Sequence, residues 1–152
     1  GLTRVNSRFQ RQLAQYALET RPPLGLISDF STVDDGEFKG TLDLKKSGAR
    51  LFTDAARVLS LATGVSHTNT AQRLRQAGPQ LQMSPTEISS IVDSFFFIQS
   101  LRLRGQLAAD TGSKGGNRVM PEQLNEVDRR ILKESFRQIR KLQARLALDY
   151  QL

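Results

Sequence analysis

The chain has 152 residues, the size of one ordinary domain, with 38% hydrophobic and 24% charged residues. That composition builds a single sizeable core and excludes wholesale disorder. No cysteine and one histidine, His67, are present, which excludes disulfides, thiolate metal sites and a cysteine nucleophile, and leaves little for zinc or a His-based triad.

The net charge is +7, and residues 39–75 hold seven basic side chains against two acidic ones. Such an excess favours phosphates, nucleotides or an acidic protein surface, or else is a solvated face balanced by an acidic neighbour. No run of about 18 apolar residues is long enough to span a bilayer, and no signal-peptide pattern opens the chain. The expectation is a cytoplasmic domain without membrane contact. The helical pattern begins at once, as in a piece cut from a longer protein.

In chain order, Val5, Phe9, Leu13, Tyr16 and Ala17 recur at helical spacing and predict a helix over about residues 3–19. Arg21-Pro22-Pro23 ends it, since a residue before proline is pushed out of the helical region. Residues 20–47 predict a small hairpin or an ordered loop. Asp35-Gly36 is a turn signal, and Phe38, Leu42 and Leu44 alternate with polar residues. A second helix is expected over 48–63, stopped by Gly64. A third, capped by Thr68 or Asn69, is expected to run to about Ala77 and break at Gly78-Pro79.

Ser84-Pro85-Thr86-Glu87 opens a fourth helix with a serine cap, proline at the first position and glutamate three residues after the cap. It should reach about Ala109. Being apolar nearly all round at residues 95–98, it should be the central, most buried helix. Thr111 to Met120 is expected to be a flexible connector. Asn125 caps the last helix, which should run to about Tyr150, with Val127, Ile131, Leu132, Phe136, Ile139, Leu142, Leu146 and Tyr150 on one arc. Arg129, Arg130, Lys133, Arg137, Arg140, Lys141 and Arg145 fill the opposite arc and are expected to be a solvated face, with a binding face as the alternative. The fold class is therefore all-α, a bundle of about five helices with a long ordered loop or small hairpin after the first. No internal repeat and no coiled-coil heptad series is found.

Catalytic motifs are mostly missing. Gly112-Ser113-Lys114-Gly115-Gly116 lacks the spacing of a phosphate loop and follows a helix rather than a strand. Asp34 and Asp35 are adjacent and fit a turn better than a two-metal site. On the fourth helix Ile88, Ile91, Val92 and Phe95 share a face with Gln99, Arg102 and Gln106. An arginine there must be paired or face a wet cleft, because an unpaired buried charge costs several kcal/mol. Either the helix leaves the core at that point, or Arg102 meets a phosphate or carboxylate.

Five stretches carry a family resemblance. They are Arg21-Pro22-Pro23-Leu24-Gly25-Leu26, Lys39-Gly40-Thr41-Leu42-Asp43-Leu44-Lys45-Lys46, and Thr68-Asn69-Thr70 followed by Arg73-Leu74. Leu101-Arg102-Leu103-Arg104 with Gln106-Leu107 and the run from Asp128 to Glu134 complete the set. In order and spacing they resemble the nucleotidyltransferase substrate-binding domain of bacterial signal-transduction proteins, over about residues 8–148.

The resemblance implies a non-catalytic C-terminal domain. It would follow a catalytic domain similar to that of protein-PII uridylyltransferases, often with cyclic-nucleotide-binding and CBS domains ahead. It also implies no cofactor in this domain, with magnesium and a nucleoside triphosphate in the adjoining catalytic domain. The partners implied are that intramolecular domain and a nucleotide or protein acceptor. By matching position, Arg21, Lys39, Asp43, Lys45, Lys46, Asn69, Arg102 and Arg104 would line the cleft, with Asp43 pairing one of the cations or capping the second helix. Gly105 stands where relatives would carry histidine, so any acid–base role there is lost. The alternative is an interaction or homodimerisation module with no ligand of its own. Nucleic acid ranks last as a partner, for want of a recognition-helix signature.

Overall fold

The computed structural model describes residues 2–26, 28–109 and 116–152. The expected Gly-Ser-Lys-Gly run at 112–115, the first half of the connector and Ile27 lie outside them. Five helices dominate: α1 (Leu2–Ala17), α2 (Arg50–Thr63), α3 (Thr70–Gln80), α4 (Pro85–Ala109) and α5 (Glu126–Tyr150). The fold is predominantly α, with one two-stranded antiparallel sheet of β1 (Leu42–Asp43) and β2 (Arg118–Val119).

The caps read from the sequence are in place. Asn69 accepts from the Gln72 N–H at 3.0 Å, Ser84 Oγ from the Glu87 N–H at 3.1 Å, and Asn125 from the Asp128 N–H at 2.7 Å. Each satisfies a helix-end donor that the helix itself leaves open. Gly64 closes α2 at φ 72°, a left-handed position that glycine takes without strain. At the far end of α5 the Arg11 guanidinium donates to the Tyr150 carbonyl at 3.1 Å, placing a cation at a helix C-terminus.

Four expectations need correction. First, α3 does not break at Gly78-Pro79 but continues to Gln80. Pro79 has no N–H for the Arg75 carbonyl, but one missing bond does not stop the helix before its end one residue later, and a side chain at 78 would meet Ile88 Cδ1 at 2.6 Å. Second, the centre of the core is α2 rather than α4. Leu51, Phe52, Ala55, Ala56, Val58, Leu59 and Ser60 are buried within its 14 residues, whereas Phe96, Leu103 and Leu107 on α4 are exposed.

Third, the second half of the connector is ordered: residues 116–120 form β2 and its approach, and the Leu44 N–H donates to the Asn117 carbonyl at 2.8 Å. The described part of the loop at 20–47 is accordingly ordered and finds its strand partner far along the chain, with Leu42 opposite Val119. Fourth, the two arcs of α5 are less clean than the pattern implies. Val127 and Ile131 are exposed. Several basic residues are engaged: Arg129 donates to the Pro121 and Glu122 carbonyls, Lys133 pairs with Asp29 at 2.6 Å, and Arg145 reaches the Leu81 carbonyl and Asp149. These cations fasten loops onto the helix.

Candidate functional site

The loop after α1 is built from two closures. Leu24 bridges Phe30, and the buried Phe30 ring meets Phe136 edge-on at 6.1 Å. Beyond it, the Val33 N–H donates to Thr41 O at 2.9 Å and the Gly40 N–H to Val33 O at 2.8 Å. Gly36 and Gly40, at φ 84° and 78°, turn the chain between them. The strand then leads into a single π-helical turn, Lys45–Ala49, just before α2. Asp43 Oδ1 accepts from the Lys45 and Lys46 N–H groups at 2.9 and 2.8 Å, so this carboxylate caps the turn. The turn presents Gly48 and Ala49 to the core, and a side chain at 48 would already crowd Ile98 at 3.3 Å.

A cleft of about 370 Å³ opens beside this cap, with Thr32, Thr41, Asp43, Lys46, Ser47 and Arg118 among its walls. Arg118 is its organising cation. The guanidinium lies 4.0 Å from the centre of the Phe38 ring, donates to Thr41 Oγ1 at 3.2 Å and stands 4.0 Å from Asp43 Oδ2. The contact with the Phe38 ring helps hold the fork in place, and Thr41 takes one of its five donors. Arg118 and Lys46 line one cleft with a single carboxylate and with hydroxyls, which is chemistry for a small anion. Among the described residues no three His, Cys, Asp or Glu side chains come together as a metal cluster. The cleft's own carboxylate spends one oxygen on two backbone donors, so this donor set does not suit a magnesium ion.

Of the residues singled out in the sequence, Asp43 and Lys46 line this cleft and Lys45 shares their turn. Arg102 is joined to the same sheet from behind. Its Nε donates to Asn117 Oδ1 at 2.9 Å and its Nη1 to Gln99 Oε1 at 2.7 Å. The polar end of the α4 stripe is thus where the helix leaves the core and holds the connector. Lys39 is exposed in the turn next to Phe38.

The others lie elsewhere. Arg21 borders a separate concavity with Arg11, Gln15 and Glu19, and reaches Gln143 at 3.5 Å. Asn69 caps α3. Arg104 pairs with Asp128 at 3.0 Å. Arg118 was missed because it follows the glycine-rich run that marks a flexible connector. Gly105 packs against that connector, since a Cβ there would lie 2.4 Å from Gly116 O.

The family model described as "Putative nucleotidyltransferase substrate binding domain" matches residues 7–150. The chain belongs to that family. No curated protein and no solved structure matches it. The substrate-binding domain is associated by its family description with a nucleotidyltransferase domain. Among its described residues no helix is long and apolar enough to cross a membrane.

Proposed function

We propose that this substrate-binding domain packs beside the catalytic nucleotidyltransferase domain of a bacterial signal-transduction protein and forms one wall of its cleft. The Lys46–Arg118 pocket would hold phosphate groups of the nucleotide or an acidic acceptor. Magnesium, the triphosphate and the bond-making groups belong to the catalytic domain in this reading, and the present chain binds and orients. The observation that carries it is the Arg118 fork, set over the Phe38 ring with donors unspent, beside Lys46 and the hydroxyls of Thr41 and Ser47. A planar fork held in place loses little freedom when it takes a phosphate.

The test is an NMR titration of the domain with ATP, UTP and CTP, with and without magnesium. Amide shifts clustered at residues 41–47 and 117–119, and absent in Arg118→Ala, are expected. No shift up to millimolar nucleotide would remove nucleotide binding by this domain alone and leave interdomain packing as its role. The second reading, an interaction module with no ligand of its own, is favoured by the uncovered apolar side chains Phe96, Leu103 and Leu107 on α4.

A further inference from the structure

Helix α4 carries a face that the described residues leave uncovered. At 100° per residue, Ser89, Asp93, Phe96, Ser100, Leu103 and Leu107 fall within about 80° of arc. All six are exposed, Phe96 at 49%, Leu103 at 56% and Leu107 at 60%. Their spacing alternates four and three, the seam spacing of helices that pack side by side. Serine and aspartate at half of these positions hide the seam from a hydropathy pattern. The adjoining helix, tied to α4 by the Arg104–Asp128 bridge, adds exposed Val127 and Ile131. Three large apolar side chains in line along one helix differ from the single exposed residues normal on a surface.

We propose that a second copy of this chain covers the face, with the two α4 helices antiparallel across a two-fold axis near residue 98. Size complementarity is the first argument. That axis sets Phe96 opposite the second copy's Ser100, Leu103 opposite its Asp93 and Leu107 opposite its Ser89, so each large side chain meets a short one. Such self-complementarity is what a two-fold contact requires.

Charge is the second argument. The Asp93 carboxylate has no ion pair or hydrogen bond among the described residues, and Arg104 lies on the same shoulder of α4, 54% exposed. Antiparallel packing brings equivalent shoulders together, so each Asp93 approaches the other copy's Arg104. The third argument is repulsion. A chain of net charge +7 resists its own copy over most of its surface. The six-residue face carries one charged side chain, the acidic Asp93, which offsets part of that repulsion from the Arg130, Lys133 and Arg137 cations bordering the same concavity.

Sedimentation equilibrium on this chain, from micromolar to millimolar concentration, tests the proposal. The unaltered chain is expected to dimerise, and Leu103→Glu or Leu107→Glu to weaken the dimer by about tenfold or more. Helical circular dichroism should be unchanged, because both sites are exposed. Phe9→Glu, at a site exposed on α1, should leave the dimer intact. Arg104→Glu should weaken it, and Asp93→Arg combined with Arg104→Glu should restore it, which loss of the internal Asp128 bridge cannot do. A monomer at every concentration, a dimer indifferent to Leu103→Glu and Leu107→Glu, or failure of the charge swap to restore association would overturn the proposal. So would association seen only with the nucleotidyltransferase domain added and lost on Leu103→Glu, since the face would then belong to that domain.

Discussion

Asp43, Gly105 and Asp29 each hold a piece of irregular backbone, and each by a different force. Asp43 does so by accepting two N–H groups of the π turn, a capping role with a typical value of about 1 kcal/mol. Asp43→Ala is expected to lower the thermal midpoint by several degrees, and Asp43→Asn, which keeps the acceptor, by less. Calorimetry of both variants checks this. At Gly105 the restraint is room: a methyl group would meet a backbone oxygen 2.4 Å away, which no rotamer change relieves. Alanine gains up to about 1 kcal/mol of helix propensity over glycine, so a substitution that is ordinarily stabilising should here displace residue 116. The expected sign is faster hydrogen exchange at the Leu44 amide, whose acceptor is Asn117 O; unchanged exchange would mean that the connector moves freely. At Asp29 the force is charge. Its hydrogen bond and Coulomb attraction with Lys133 hold the carboxyl below its usual 3.8. A depressed carboxyl contributes stability that is present above the unfolded value and lost as pH falls through the lower folded one. Urea titrations on either side of pH 3.8 should show Lys133→Met lagging the parent above that value and converging with it below.

At the scale of elements, the helices were legible because capping is local. Asn69, Ser84, Asn125 and Gly64 act within one turn of themselves, so a reader of the sequence needs no tertiary knowledge to place them. The misses share the opposite property. Strand β1 pairs with residues 118–119, far along the chain, and two residues of alternation carry no signal of that distance. Arg118 went unread for the same reason: its role depends on Phe38 and Thr41, which only the sheet brings to it. Pro79 looked like a helix end because proline ordinarily is one, while Ile88 against Gly78 and the burial of Ala77 keep that turn packed. Half of the candidate site was therefore visible, as Asp43 and Lys46 on a continuous motif, and the other half arrived from a connector read as flexible. The buried Gln143 was equally unreadable. Its amide donates to the Thr20 carbonyl at 2.8 Å and ties the end of α1 to α5. Gln143→Leu should leave that carbonyl and the Arg21 guanidinium without their partner, at about 1–3 kcal/mol, measurable as a lowered urea midpoint with unchanged slope.

For the molecule as a whole the question is whether anion binding belongs to the cleft or to the overall positive charge. Much of that charge is answered internally. Asp54 lies beside Arg50 and Arg57, and Asp128, Glu126, Glu134 and Asp149 each meet an arginine. Lys45 and Lys46 are in no salt bridge among the described residues, so their charge at the π turn is open to a ligand. Long-range attraction from net charge is nonspecific and decays over about 10 Å at 0.1 M salt. A bidentate contact with Arg118 depends on the fork and is screened less. Calorimetric titration with inorganic triphosphate separates the two. Arg118→Ala should weaken binding by about tenfold, the value of one charge-assisted contact. Arg118→Lys should recover little of it, since a lysine keeps the charge but cannot stack on Phe38 or present two parallel donors. Arg75→Ala, on α3 beside Pro79 and away from the cleft residues, removes the same unit of charge and should change affinity far less. If Arg75→Ala and Arg118→Ala weaken binding equally, and Arg118→Lys restores it, the attraction is that of a basic surface and the cleft has no special claim on the phosphate.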